Sequence, residues 1–91
     1  MATLLDDEAI ESGLPVGWER DGDEIVRRYT FEDYLVGVSF AIEVAELAEE
    51  EFHHPSMTID YEEVEVRFTS HEQGGITDRD LELAELTNQL R

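Results

Sequence analysis

The stretch FEDYLVGVSFAIEVAELAEEEF, residues 31–52, decides how the rest of the chain is arranged, because its apolar residues recur at the spacing of an α-helix. They form two stripes. The first stripe holds Phe31, Tyr34, Leu35, Val38, Ile42, Ala45 and Ala48, and the second holds Val36, Phe40, Val44 and Leu47. A helix packed on one sheet buries only one such stripe. We therefore expect another copy of the chain to cover the second stripe, with the N-terminal helix as the alternative cover.

Pairs of β-prone segments stand on both sides of this helix. Pro55 ends the helix, and Asp21-Gly22-Asp23 is a turn signal that makes the first pair a hairpin. The second pair alternates apolar and polar residues, which is typical of half-buried strands. The expected strands cover residues 18–20, 24–29, 57–61 and 64–69.

Two shorter helices complete the prediction. Leu4–Ile10 is a helical candidate that stops at Ser12-Gly13, and a last helix begins after Thr77, which can cap it together with Asp80. The order is helix, two strands, helix, two strands, helix. The sequence therefore predicts one α+β domain over residues 1–91, with a four-stranded antiparallel sheet and helices packed on one face.

The charge of the chain restricts its partners. There are 24 Asp and Glu residues against 6 basic residues, all of them arginine, which gives a net charge of -18 on 91 residues. Such a charge repels nucleic acids and anionic membranes, so we expect neither as a partner. A carboxylate-rich, lysine-free surface is typical of a protein that works in concentrated salt, as in a halophilic archaeon, where the screening length falls to about 3 Å at 1 M. A basic protein partner is the alternative explanation.

Nothing in the sequence indicates export or a disulfide framework. It has no cysteine, no basic start followed by an apolar run, and no apolar run near the ~20 residues that span a bilayer. We expect a cytoplasmic protein.

The three histidines are the candidate functional residues. His53 and His54 are adjacent where the central helix ends, and His71 lies in the Ser70–Gly75 loop after the last strand. Imidazole exchanges a proton near neutrality because its pKa is about 6.5. Three imidazoles from two loops can surround one small molecule. Glu49, four residues before His53 on the same helix face, can orient His53, or it is ordinary solvated surface in a run of glutamates.

Three other interpretations of the histidines stay open at this point. Three imidazoles with an open fourth position suit zinc, although the HxH, HxxxH and HExxH spacings are absent and adjacent histidines rarely reach one ion together. The second interpretation is nucleophilic catalysis by a serine, because Ser56 and Ser70 lie near histidines, although no nucleophile-elbow pattern surrounds either serine. The third interpretation is that the histidines are surface residues without a function.

One spaced pattern joins these residues: Glu49-x3-His53-His54-Pro55-x5-Tyr61-x9-His71-x8-Asp80. It resembles the signature of the pterin-4a-carbinolamine dehydratases, and every position of that signature is filled. The resemblance extends to Gly17-Trp18, Tyr29-Thr30-Phe31, Phe40 and the segment from His71 to Leu81, so it covers most of the chain from Leu14 onward.

The resemblance implies an activity. Members of this family dehydrate 4a-hydroxytetrahydropterin to the quinonoid dihydropterin, which regenerates the cofactor of aromatic amino acid hydroxylases. They use neither a metal nor an organic cofactor. They assemble as dimers of dimers, in which edge strands join and central helices meet. We therefore expect a pterin substrate, no cofactor, and a homodimer or homotetramer.

The resemblance also implies roles for the site residues. His53 and His71 would be the acid and the base that flank the 4a carbon, and His54 would bind and polarise the substrate. Glu49 and Asp80 would hold the histidines in place, with helix capping an equally good role for Asp80. The residues expected to bind the substrate are His53, His54, Pro55, Ser70, His71, Glu72, Gln73 and Asp80.

Two departures from the family pattern leave the substrate open. Met57 and Thr58 occupy positions that are often aromatic in relatives, so the side chain of the accepted pterin is not fixed. Another pterin, including an intermediate of molybdopterin metabolism, is an alternative substrate. The rival function is a non-catalytic module that binds a pterin or a partner. Some relatives also act as dimerisation cofactors of a homeodomain transcription factor, and we do not expect this role for the present chain.

Overall fold

The computed structural model describes residues 3–91 and contains three helices and a four-stranded antiparallel sheet. In chain order the elements are α1 (Asp7–Gly13), β1 (Glu19–Asp21), β2 (Glu24–Thr30), α2 (Tyr34–Glu51), β3 (Ser56–Ile59), β4 (Glu63–Phe68) and α3 (Asp78–Asn88). This order confirms the α+β prediction. Residues 1 and 2 of the predicted domain lie outside the described range. Within that range no helix is long and apolar enough to cross a bilayer.

The sheet has the strand order β1-β2-β4-β3, so β2 and β4 are its central strands and β3 lies at one edge. In the antiparallel central pair, Ile25 lies opposite Phe68 and Tyr29 lies opposite Val64. Alternate residues of a strand point to one face, and the helices pack against the face that carries these four side chains. The resulting core includes Ile10 of α1, Ile25 and Tyr29 of β2, Phe40 and Val44 of α2, Val64, Val66 and Phe68 of β4, and Leu83 of α3.

The opposite face of the sheet carries ion pairs. Arg67 contacts Glu65 at 2.9 Å, and Arg28 contacts Glu65 at 3.0 Å. Hydrogen bonding to Arg67 holds the pKa of the Glu65 carboxyl below its usual value, and Glu65 in turn raises the pKa of Arg67. Asp21 and Glu24 also contact Arg67. These arginines therefore neutralise part of the acidic surface of the strands.

The core-facing side of α2 differs from the sequence prediction. Phe40 and Val44, which belong to the second stripe, are buried in the core, so the expectation that a partner copy covers them is wrong. The reason is the small residues Gly37 and Ala41, which lie on the same side and let α2 approach closely. A Cβ at Gly37 would lie 3.3 Å from the Phe31 ring. The buried residues of the helix are Gly37, Phe40, Ala41, Val44 and Ala48.

Much of the first stripe of α2 is left in solvent. Leu35 is 70% exposed and Ile42 is 55% exposed. Tyr34 is also exposed, and its ring stacks on the exposed ring of Tyr61 with 6.5 Å between the centroids. The apolar surface that the sequence predicted on α2 therefore exists, but it is formed mainly by the other stripe.

Three boundaries also differ from the prediction. α2 begins at Tyr34 rather than at Phe31, because Asp33 caps it by accepting a hydrogen bond from the Leu35 N–H at 2.9 Å. α1 begins at Asp7 rather than near Leu4, because Asp6 caps it by accepting a hydrogen bond from the Ala9 N–H at 2.9 Å. Leu4 instead forms a β-bridge with Thr77. The edge strand β3 ends at Ile59, before Tyr61, because the Asp60 N–H donates to the Glu63 carbonyl at 2.8 Å and closes a turn.

Candidate active site

A cleft of about 620 Å³ lies between the end of α2 and the segment that joins β4 to α3. All three histidines line it. The full set of lining residues is Phe52, His53, His54, Thr69, Ser70, His71, Glu72, Gln73, Asp78 and Arg79. The structure therefore brings together the three histidines of the signature, whereas Glu49, Pro55, Tyr61 and Asp80 are not in the cleft lining.

The end of α2 determines how the two adjacent histidines are presented. Phe52 closes the helix in the left-handed conformation, with φ 59° and ψ 39°. Its N–H and the N–H of His53 both donate to the Ala48 carbonyl, the second at 3.1 Å. This arrangement is typical of helix C-termini that reverse the chain direction. After the reversal, His53 and His54 reach different partners.

His53 is held on two sides. Its Nε2 lies 2.5 Å from Asp80 Oδ1, and its ring stacks on the buried Phe68 ring at 5.8 Å with only 8° between the planes. The His53 side chain is 16% exposed. Because Nε2 is engaged with Asp80, Nδ1 is the ring nitrogen that stays available, and it makes no hydrogen bond with another residue of the 3–91 range. His53 is therefore a fixed imidazole with one nitrogen free for a ligand.

Asp80 is fully buried, and both of its oxygens have donors. Oδ2 accepts hydrogen bonds from the Ser70 hydroxyl and from the Thr77 N–H, each at 2.8 Å. Thr77 and Asp80 together form the capping box of α3. Asp80 thus caps the helix and contacts His53 at the same time, and it lies behind His53 rather than in the cleft wall. The Ser70 hydroxyl is committed to this network.

Glu49 contacts His54 rather than His53. The distance from Glu49 Oε2 to His54 Nε2 is 2.5 Å, and both side chains are largely in solvent, 77% and 55% exposed. The expectation that Glu49 orients His53 rested on regular helical spacing. That spacing ends at Phe52, where the left-handed residue turns His53 away from α2.

His71 lies in a tight turn on the other side of the cleft. The Ser70 N–H donates to the Gly75 carbonyl at 3.0 Å, and the Gly74 N–H donates to the Ser70 carbonyl at 2.9 Å. The His71 side chain is exposed, and in residues 3–91 its ring nitrogens make no hydrogen bond. The backbone N–H groups of His71 and Glu72 also lack a partner within that range.

Two charged residues of α3 complete the cleft. The Thr3 N–H donates to Asp78 Oδ1 at 2.9 Å and thereby holds the pKa of the Asp78 carboxyl below its usual value, so Asp78 is an anion at neutral pH. Arg79 contacts the carbonyl and carboxylate of Glu51 and the carboxylate of Glu82. It therefore fastens the start of α3 to the end of α2.

Sequence reasoning found most of this site and missed part of it. Of the residues predicted to bind the substrate, Ser70, Glu72 and Gln73 are at the cleft together with the histidines. Pro55 is half-buried outside it, and Asp80 is fully buried behind His53. The residues that were missed are Phe52, Thr69, Asp78 and Arg79. Arg79 is part of the segment that carries the family resemblance, which is the one sequence signal that could have indicated it. No group of three or more metal-ligating side chains comes together within residues 3–91.

Known proteins resemble this chain over nearly its whole length. A family model described as pterin 4 alpha carbinolamine dehydratase matches residues 3–90. A protein of Halobacterium salinarum, provisionally named a pterin-4-alpha-carbinolamine dehydratase, is 58% identical over 91 residues, which is 100% of both chains.

Two solved structures share the fold. The crystal structure of a transcriptional coactivator/pterin dehydratase from Brucella melitensis has a TM-score of 0.89 and 26% identity, and the match covers 97% of this chain and 98% of that one. A pterin dehydratase-like protein, identified as a RuBisCO assembly factor in the α-carboxysome, has a TM-score of 0.65 and 19% identity over 80% of this chain and 84% of its own. From the family model and the relative at 58% identity, we conclude that the chain belongs to the pterin 4 alpha carbinolamine dehydratase family.

Proposed function

We propose that the protein dehydrates a 4a-hydroxytetrahydropterin to the quinonoid dihydropterin by histidine general acid/base catalysis, as a step of pterin recycling. One observation carries the proposal. His53 and His71 line the same cleft from different segments of the chain, and His53 is held by the buried carboxylate of Asp80.

The reaction needs one acid and one base. The bond between C4a and its hydroxyl oxygen breaks while the acid protonates that oxygen, which leaves as water. The base takes the proton of the neighbouring ring nitrogen, and the electron pair of that N–H bond forms the new C=N bond. His53, through Nδ1, and the exposed ring of His71 are the two groups assigned to these transfers. Positioned proton transfer of this kind contributes roughly 10²–10⁴-fold to a rate.

Asp80 acts through His53. A carboxylate hydrogen-bonded to one imidazole nitrogen fixes the tautomer and ring orientation, and it stabilises the imidazolium that forms when the other nitrogen takes a proton. The burial of Asp80 strengthens this interaction because solvent does not screen it. We therefore assign Asp80 as a positioning residue and not as a group that touches the substrate.

The remaining polar groups of the cleft bind the substrate. His54, whose Nε2 contacts Glu49, is assigned to bind the pterin ring system through Nδ1. The backbone N–H groups of His71 and Glu72 are free donors for carbonyl or ring-nitrogen acceptors of a pterin.

The charge of the cleft favours a pterin without phosphate groups. Glu72 and the anionic Asp78 line it, and the guanidinium of Arg79 is already engaged by Glu51 and Glu82. A phosphorylated pterin bound there would lie close to two carboxylates, and the arginine of the lining is already paired. This argues against a phosphorylated intermediate of molybdopterin metabolism as the substrate.

The test is turnover of enzymatically generated 4a-hydroxytetrahydropterin, followed by absorbance in molar KCl. We expect the wild-type protein to accelerate dehydration over the spontaneous reaction. His71→Ala and His71→Gln should both lose most of this acceleration, because glutamine keeps polarity but exchanges no proton near neutrality. Circular dichroism and an unfolding curve establish that each variant is folded. A folded wild-type protein without any acceleration would refute the dehydratase.

A non-catalytic module is the second candidate. The solved relative at 26% identity is described both as a transcriptional coactivator and as a pterin dehydratase, so one protein of this fold carries both descriptions. The same histidine variants separate the two functions for this chain. A binding module would retain its function in His53→Ala and His71→Ala, whereas the enzyme would lose it.

We also propose that the chain assembles with copies of itself through the exposed apolar side of α2. Leu35, Ile42 and the stacked pair of Tyr34 and Tyr61 place apolar surface in solvent on an otherwise highly charged protein. Light scattering in molar KCl should give the mass of a dimer or tetramer for the wild type and a lower mass for Leu35→Glu combined with Ile42→Glu. A monomeric wild type would contradict the assembly.

A further inference from the structure

The side chain of Phe52 is the most exposed large apolar group described. It is 89% exposed, and it lies in the wall of the histidine cleft beside His53 and His54. A phenyl ring in water gains little from such a position unless something covers it. A single exposed apolar side chain is common on protein surfaces, but this one lies at the candidate site, where a ligand can contact it.

The backbone of Phe52 makes the choice of residue more informative. In residues 3–91 it is the sole non-glycine residue with a positive φ. Left-handed backbone is strained for a bulky side chain, and Gly or Asn is the usual residue at such a helix end. Because the ring is so exposed, contacts within the chain do not offset this strain.

The left-handed backbone of Phe52 and its phenyl side chain therefore need separate explanations. The turn is required by the site, since it sends His53 towards Asp80 and His54 towards Glu49. Gly or Asn would make that turn with less strain. Strained residues at functional sites are retained where the side chain itself has a function.

Phe52 is also the aromatic ring of the cleft that has no partner within the described residues. The neighbouring Phe68 ring is buried and stacked on His53, so it cannot offer a face to a ligand. Phe52 can offer one. A flat heteroaromatic ring that enters the cleft to reach His53 would pass beside it.

We infer that Phe52 is a substrate-positioning residue whose ring stacks on the planar ring system of the bound pterin. The inference rests on the proposed function, because it takes the pterin as the ligand. Stacking on the Phe52 ring would fix the plane of the pterin in an orientation that places C4a next to the histidines. Its effect belongs to ground-state and transition-state binding alike, so it should change KM much more than kcat.

The experiment compares three replacements at this position. Phe52→Asn keeps the turn with a residue suited to left-handed backbone, Phe52→Leu keeps an apolar side chain without a π face, and Phe52→Trp keeps the π face. We expect KM to rise about tenfold in Phe52→Asn and Phe52→Leu, a size typical of one lost stacking contact. Phe52→Trp should stay within about twofold of the wild type. The midpoint of thermal unfolding should rise or stay constant in Phe52→Asn, since that variant relieves strain.

A second measurement separates this inference from the proposed activity. The dissociation constant of an oxidised, unreactive pterin, measured by fluorescence in the same KCl, reports binding without turnover. If the wild type binds this pterin but does not accelerate dehydration, the dehydratase fails while the Phe52 inference stands or falls on the binding of the variants. Equal KM and equal pterin binding in the wild type, Phe52→Asn and Phe52→Leu would overturn the inference. A lower particle mass in Phe52→Asn, measured by light scattering, would overturn it too, because the ring would then serve an interface between copies.

Discussion

His53 and His54 are neighbours in sequence and make the same contact in different surroundings. Each has Nε2 at 2.5 Å from a carboxylate oxygen. The first pair is 16% and 0% exposed, and the second is 55% and 77% exposed. Two unit charges about 4 Å apart interact by roughly 1 kcal/mol in water and roughly 4 kcal/mol near a protein surface with an effective dielectric constant of 20. Burial, and not distance, therefore decides how strongly each carboxylate fixes its histidine.

The largest difference between the pairs should appear in stability. Asp80→Ala leaves the Ser70 hydroxyl and the Thr77 N–H without their buried acceptor, and we expect a loss of about 3–5 kcal/mol in the free energy of unfolding. Glu49→Ala removes an exposed pair and should cost less than about 1 kcal/mol. Urea unfolding in molar KCl measures both. Similar losses in the two variants would show that burial does not distinguish these pairs.

The next effect is on catalysis. Asp80→Asn keeps the volume of the side chain but removes its charge, so we expect kcat to fall about 10²-fold. Glu49→Gln should lower kcat by no more than about fivefold, because its contact with His54 is solvated. The comparison is made at saturating substrate with protein shown to be folded. If Glu49→Gln lowered kcat more than Asp80→Asn does, His54 and not His53 would be the imidazole that its carboxylate fixes for catalysis.

Salt should separate the two carboxylates further. Between 0.1 M and 1 M ionic strength the screening length falls from about 10 Å to about 3 Å, and exposed pairs weaken more than buried ones. We expect the difference in kcat between the wild type and Glu49→Gln to shrink as KCl rises. The difference for Asp80→Asn should stay nearly constant. A KCl series of steady-state rates checks this, and parallel behaviour of the two variants would contradict it.

Glu65 tests the same rule at an intermediate exposure of 18%. Hydrogen bonding to Arg67 holds its pKa below the ordinary value of 4.5. The folded state is therefore favoured above about pH 4.5, and this contribution is lost as the pH falls through the lower pKa of the folded protein. Glu65→Gln should be less stable than the wild type at neutral pH and equally stable in acid. This difference in stability is the smallest of the expected effects, and urea unfolding as a function of pH measures it. A stability difference that does not change with pH would show that Glu65 contributes no charge interaction.

The element order was predictable because it depends on patterns within short segments of the sequence. The helical period of residues 31–52 and the Asp21-Gly22-Asp23 turn each act over a few residues, and the structure has α2 at Tyr34–Glu51 and a turn between β1 and β2. The predicted stop at Pro55 is only approximate, because the helix already ends at the left-handed Phe52. The start of α1 was not predicted, because Leu4 is drawn away by a β-bridge to Thr77, a distant residue in the sequence.

The site was predictable as a set of residues but not as a set of pairs. The signature indicates Glu49, His53 and Asp80, yet which carboxylate reaches which histidine depends on the left-handed turn at Phe52. The sequence does not indicate that turn, because phenylalanine rarely adopts the left-handed conformation. The burial of Asp80 likewise depends on the packing of α3 against the end of β4, which a single sequence does not express.

The most direct measurement for the role of the buried pair is a double-mutant cycle on kcat. It compares the wild type, His53→Ala, Asp80→Asn and the double variant in molar KCl. If Asp80 acts by positioning His53, removing Asp80 should cost nothing further once the imidazole is gone, and the double variant should match His53→Ala. If the two losses multiply instead, Asp80 acts independently of His53, and the assignment of His53 as the catalytic imidazole held by Asp80 is wrong.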